Sequence, residues 1–307
     1  MTPAKNQDFL GTCTSFAVGA CVEYHNMRNH LGRWFYTPVS EAEFTVYAEQ
    51  HTPGGDCKQG LNLGEALVVA KDRGFIREDL WPYTDYESQI LRTYNAKITD
   101  PDFNEKLEDA NICMRGKYSS TMLEQFPKYQ LNDIAVIHHK PRIEVSGSIA
   151  TEVHRLSSVS SGYPIPMTPS ESDIVPIVKA YIHNRQAPVA VSVATFGLWD
   201  MNTNLIPMPD FGTLKEWSYP TVTAMIKPKL VATRWGYTVR DTIYREKNPP
   251  KMTEDPGWHA IVLTGYNDKS KMFTFKNSWG PRFGTKGFGQ IPYDYIRSFA
   301  SEVVATL

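Results

Sequence analysis

The chain has 307 residues, enough for two packed units, since domains commonly run about 100–200 residues. Its 32 basic and 33 acidic side chains nearly cancel, so there is no electrostatic footprint for nucleic acid or an anionic membrane surface. No apolar run approaches the ~20 residues of a membrane span. Four cysteines are too few for a disulfide-dense scaffold, but they leave room for one or two bridges.

In chain order, the start MTPAKNQ has no apolar stretch behind a basic head, so it does not read as a signal peptide. Residues 5–23 read as a loop that breaks into a helix at Cys13, because Phe16, Ala17, Ala20 and Cys21 follow Gly11 at helical spacing. A thiol in the first turn meets unpaired backbone N–H groups and the positive end of the helix dipole, which favour the thiolate. With a basic partner, such thiols fall from a pKa of about 8.5 to roughly 3.5–7.5. An inert buried cysteine is the alternative, and Cys13 alone does not decide between them. Cys21 and His25 lie four apart on the same helix and His30 follows, but no fourth ligand is evident, so neither metal nor cofactor is expected.

Ser40 reads as a helix cap with Glu43 as its capping-box partner, and that helix runs through Tyr47 to end before Pro53-Gly54-Gly55. A third helix covers Glu65 to Asp72, with Gly74 where a left-handed cap is needed. From Trp81 to about Ser170 the signal weakens: 99–113 is charged and 143–173 is rich in serine and proline, a surface loop or linker. Helix returns over Ser172 to Asn184, and Pro188 to Ala194 then alternates with β-branched residues as a strand. Residues 200–256 read as an elaborated loop region rather than a separate domain. Helices early and strands late predict an α+β chain of two lobes, 1–170 and 171–307.

The last informative stretch is a hairpin, with strands over His259–Tyr266 and Lys271–Lys276 around Asn267-Asp268-Lys269-Ser270. A turn centred between 268 and 269 sets the sum of paired residue numbers near 537, and His259 and Asn277 sum to 536. They are therefore expected as cross-strand neighbours within one residue of register, with Cβ atoms about 5 Å apart. An asparagine there can accept the ring N–H, fix the tautomer and aim the other nitrogen outward. Two polar residues capping a hairpin rim is the bland alternative. Trp279 could shield the bond from water.

Taken together, Gln7 six residues before Cys13, His259 in Trp258-His259-Ala260, and Asn277 in Lys276-Asn277-Ser278-Trp279-Gly280 resemble the papain-like cysteine peptidases, in the right order. Weaker matches at Ser40-Glu41, Cys57, Gly60–Gly64, Trp81–Tyr83, Pro188–Val193 and Gly284–Ile291 bring the resemblance to roughly half the chain. It implies a helical N-terminal lobe and an antiparallel β-rich C-terminal lobe around an active-site cleft. It implies Cys13 as nucleophile, His259 as general acid and base, Asn277 as its orienting partner and Gln7 in the oxyanion hole. Trp279 is then a supporting residue, Gly64, Trp258 and Ser192 bind substrate, and Cys57 pairs with Cys113.

Departures from the family pattern are equally visible. Thr14 stands where the family has an aromatic, and Leu10 and Leu61 occupy the positions of a family disulfide, here expected as an apolar contact. His259 lies 246 residues after Cys13, against about 130–150 in the family, the excess falling in insertions around 86–170 and 200–256. These border the cleft or decorate the surface. The missing bridge and the insertions lean toward a bacterial branch. The N-terminal stretch resembles an internal part of mature members, so a secretion signal and an inhibitory propeptide are expected upstream, with a secreted or otherwise extracytoplasmic location. The implied partner is a peptide or protein substrate. Three rivals stay open: acyl transfer, ligation or deamidation through the same thioester, a catalytically inactive peptide-binding relative, and exopeptidase action.

Overall fold

The structure is a computed structural model that describes residues 1–8, 10–29, 36–52, 61–85, 124–139, 173–195, 199, 204–207, 230–233, 236–239 and 258–307. The chain divides into two compact units: Met1–Thr2, Phe9–Ala135 and Thr306–Leu307 form the first, and Pro3–Asp8 with Val136–Ala305 form the second. The expected boundary at 170 falls outside the described residues. So do Cys57, Cys113 and His30, and with them the disulfide suggested by the resemblance. No described helix is long and apolar enough to cross a membrane.

Among the described residues of the first unit, three helices stand out: α1 (Cys13–Asn29), α2 (Glu41–His51) and α3 (Leu63–Asp72). Phe16, Ala17, Ala20 and Cys21 are all buried, as their spacing predicts. Gly19 lets α2 approach, since a Cβ there would lie 2.9 Å from Glu41 Oε1. Ser40 caps α2 by accepting the Glu43 N–H at 3.2 Å. The other half of the expected capping box does not form, because Glu43 turns its buried carboxylate to Arg73 while the Ser40 N–H donates to the Ile76 carbonyl. Helix α3 begins two residues earlier than predicted, because the Asn62 side chain accepts the Gly64 N–H at 3.0 Å and caps it. Gly74 has φ +82°, as its position after the helix requires.

His25 lies inside this unit, its Nε2 3.0 Å from Thr306 Oγ1. Burial pushes its pKa down to about 4 against the Thr306 bond that raises it, and Arg28 adds to the lowering. The unfolded chain therefore takes up a proton between about pH 6.5 and 4 that the folded chain refuses. The stability linked to neutral His25 is complete above pH 6.5 and drains away as pH falls toward 4, by about 3 kcal/mol in all. Urea midpoints at pH 7.5 and 4.5 check this: His25→Gln is expected to flatten the drop, and an equal drop in both proteins would assign it to other groups.

The second unit carries a six-stranded sheet in the order β1-β8-β2-β5-β6-β7. Its strands are β1 (Ile134–His139, begun in the first unit), β2 (Val189–Ala194), β5 (Trp258–Asn267), β6 (Met272–Lys276), β7 (Phe288–Pro292) and β8 (Ala300–Thr306). Each residue of β2 is buried, as befits a central strand covered on both faces. Helices α4 (Ile174–Ala180, capped by Asp173) and α5 (Tyr293–Phe299) also belong to this unit. The region read as loop contains more structure than expected. Strands β3 (Leu230–Thr233) and β4 (Gly236–Val239) form a separate antiparallel pair. Leu205 makes a parallel bridge to Gln290, so residues 204–206 run along the outer edge of β7.

Register in the β5–β6 hairpin differs from the expectation. Lys271 adopts φ +58° and belongs to the turn, so Asn267 pairs with Met272, and a bulge at Thr264 shifts the later pairs to Leu263↔Phe275 and Val262↔Lys276. His259 and Asn277 are thus two positions out of direct register, on one face, rather than within one residue of it. Diagonal neighbours of this kind stay within reach of long side chains.

Candidate active site

Cys13 opens α1 in the first unit, half-buried, with no carboxylate in the first turn to oppose the positive helix end. Its neighbours are held firmly. Thr12 Oγ1 lies 2.5 Å from the Tyr83 hydroxyl, Ser15 accepts from Thr45 at 2.7 Å, and Phe16 meets the Tyr83 ring edge-on at 4.7 Å. Thr14, the residue standing in for an aromatic, donates to the Leu61 carbonyl at 2.9 Å. That bond ties the start of α1 to residue 61, while Leu10 and Leu61 are both buried. Neither Cys13 nor Cys21 is in a disulfide.

The second unit brings His259, Asn277, Gln7, Ser278 and Trp279 together. His259 sits on β5 opposite Val193 of β2, so the central sheet fixes its backbone. Asn277 follows the last residue of β6, its N–H donating to the Gly287 carbonyl at 2.9 Å. Between them, His259 Nε2 and Asn277 Oδ1 are 2.6 Å apart, and both residues are buried. The same Oδ1 accepts the Ser278 N–H at 2.8 Å. A backbone N–H can only donate, so Oδ1 is oriented as an acceptor and His259 Nε2 must carry the proton. In the neutral ring Nδ1 is then the nitrogen without a proton. Asn277 Nδ2 is buried without an acceptor among the described residues. Leaving such a donor unmade costs about 1–3 kcal/mol, which is accepted here to keep the imidazole aimed.

Two tryptophans enclose the ring. Trp279 lies 5.0 Å from it at a 31° tilt, and Trp199 meets it edge-on at 5.4 Å. Trp199 escaped the sequence reading. It is buried, its Nε1 donates to the Tyr295 hydroxyl at 3.3 Å, and that hydroxyl donates to the Ala194 carbonyl at 2.7 Å. Burial pushes the Tyr295 phenol far up, so it remains a neutral donor. The only signal for Trp199 was its place just beyond β2, the strand that pairs with His259.

Gln7 belongs to a short N-terminal strap, in the loop expected ahead of α1. Asn6 bridges Trp279, the Gln7 N–H donates to the Ser278 carbonyl at 2.8 Å, and the Gly280 N–H donates to the Lys5 carbonyl at 2.9 Å. The Ser278 hydroxyl donates to Gln7 Oε1 at 2.5 Å, which orients the side-chain amide with its NH₂ group away from Ser278. The three residues assigned to substrate are less open. Gly64 lies in the first turn of α3 with its N–H donating to Asn62, Ser192 is buried in β2 and paired on both sides, and Trp258 is half-buried opposite Ala194.

The sequence model described as papain family cysteine protease matches residues 226–305, the stretch that holds His259 and Asn277. Over 50 residues the chain is 42% identical to an uncharacterized peptidase C1-like protein of Acanthamoeba polyphaga mimivirus, a match spanning 16% of each protein. Among solved structures, xylellain, a cysteine protease from Xylella fastidiosa, superposes with a TM-score of 0.58 at 18% identity, covering 99% of this chain and 82% of that one. A cysteine protease of Carica candamarcensis gives 0.49 at 15% identity, over 100% of this chain and 92% of that one. The papain family model thus matches the stretch that carries the histidine and the asparagine, and the fold over nearly the whole chain is that of a papain-like cysteine protease.

Proposed function

We propose that the protein is a cysteine peptidase that hydrolyses peptide bonds through a thioester. The observation that carries this reading is the buried 2.6 Å contact between His259 Nε2 and Asn277 Oδ1, which fixes the imidazole with Nδ1 as its working nitrogen. In this reading the Cys13 thiolate attacks the carbonyl carbon and the carbonyl electron pair moves onto oxygen. The Gln7 side-chain N–H and the Cys13 backbone N–H stabilise that oxyanion. His259 Nδ1–H gives its proton to the departing amine as the C–N bond breaks, leaving the thioester. Water then attacks the thioester while Nδ1 takes its proton. The acid leaves and the thiolate–imidazolium pair is restored.

Intact mass after exposure to a peptidyl epoxysuccinate tests the proposal, because that probe alkylates activated thiols held against a peptide. A single adduct mapping to Cys13, and lost in His259→Ala, is expected. An unlabelled protein with Cys13 confirmed as a thiol would point to the inactive peptide-binding alternative. Adding amine nucleophiles to a turnover assay separates hydrolysis from acyl transfer by the product formed.

A further inference from the structure

We propose that Gly287 is a positioning residue that sets two accessory groups of the site at once: the strap bearing Gln7, and Asn277. The proposal rests on the peptidase reading above for the roles of those two groups. Gly287 has φ +86°, where side chains other than hydrogen are strained. Its carbonyl accepts the Asn277 N–H at 2.9 Å and its own N–H donates to the Phe283 carbonyl at 2.8 Å, so its backbone is held on both sides. Its missing side chain is the seat of the strap. A Cβ on residue 287 would lie 2.1 Å from the Ala4 Cβ and 3.1 Å from the Gly280 carbonyl oxygen.

Ordinary contact begins near 3.4 Å, so any side chain at 287 must lift Ala4 by more than 1 Å. Ala4 is three residues from Gln7 on a segment already fastened at Lys5, Asn6 and Gln7 to residues 278–280. Gly280 is the second contact, since a Cβ there would come within 3.3 Å of the Asn6 Cβ. A strap lifted at Ala4 therefore strains the bonds that hold Gln7, including its Oε1 contact with Ser278. Misplacing a catalytic group by about 1 Å can cost about a hundredfold in rate. One loop residue thereby keeps the oxyanion donor in step with the asparagine behind the histidine.

The experiment compares Gly287→Ala, Ala4→Leu, and Gly287→Ala combined with Ala4→Gly, in the full chain. Two rates are read: kcat on a fluorogenic peptide amide, which passes through an oxyanion, and alkylation of Cys13 by iodoacetamide, which does not. Ala4→Leu enlarges the strap side of the contact without straining residue 287 or touching Asn277. It is expected to lower kcat by about ten- to a hundredfold while the alkylation rate and its pH profile hold. Gly287→Ala should lower kcat at least as far, and Ala4→Gly should recover severalfold of that loss. Wild-type kcat in Ala4→Leu, alkylation falling in proportion to kcat, or no recovery in the double variant would each overturn the proposal. An inactive wild-type protein would count against the peptidase reading alone. Hydrogen exchange of the Gln7 and Asn277 amides would still report the seat: faster exchange in Gly287→Ala, slowed again by Ala4→Gly, supports it, and unchanged exchange overturns it.

Discussion

Replacing His259 by alanine is expected to lower acylation by a peptide amide by about 10⁴- to 10⁶-fold, the scale at which nucleophile–base pairs fail as a unit. In the proposed mechanism the loss has two parts. The thiol loses its ion-pair partner, so less thiolate is present at neutral pH. The leaving amine also loses its proton donor, so the tetrahedral intermediate returns to reactants. Asn277→Ala should cost less, because β5 still carries the imidazole and Trp199 and Trp279 still pack against it. Single-turnover acylation of the two variants, with iodoacetamide alkylation measured across pH, separates these parts. A His259→Ala protein retaining more than about one hundredth of the wild-type rate would remove His259 from the mechanism.

Arg73→Ala is expected to destabilise the first unit by about 3–5 kcal/mol, because it leaves the Glu43 carboxylate buried and unpaired. The Glu43 side chain is 0% exposed and Arg73 only 9%. The guanidinium reaches Glu43 through both terminal nitrogens, one at 2.9 Å to Oε2, and stacks over the Tyr47 ring at 3.8 Å. Glu124, half exposed, adds a weaker contact at 3.3 Å. An isolated surface pair would contribute under about 1 kcal/mol, so burial decides the magnitude. Replacing both partners, as Glu43→Leu with Arg73→Met, should recover most of the loss, since no charge is then stranded. Urea unfolding of the single and double variants checks this. A single variant within about 1 kcal/mol of wild type would mean that water reaches Glu43.

Local pattern made the helices readable. The apolar spacing from Phe16 to Cys21, Ser40 before α2 and Gly74 after α3 each act within a few residues. The His259–Asn277 pairing was readable because a hairpin links numbering to distance, but its register was not. A left-handed Lys271 and a bulge at Thr264 each moved it, and neither residue type announces such backbone. Contacts distant along the chain left no local mark at all. Arg73 lies 30 residues from Glu43, Trp199 reaches His259 only through the sheet, and Ser278 meets Gln7 across 271 residues. Gln7 was singled out by resemblance alone, and no residue near it in the sequence reveals that its strap rests on the 278–280 loop.

The edge of β7 gives residues 204–206 a role of their own. Strand β7 ends the sheet on one side, and its outward N–H and C=O groups would otherwise template pairing with another chain. The Ile206 N–H donates to the Gln290 carbonyl and the Gln290 N–H to the Asn204 carbonyl, so those groups are already taken. Residues 204–206 thus cover this edge against edge-to-edge pairing, and removing them would expose it.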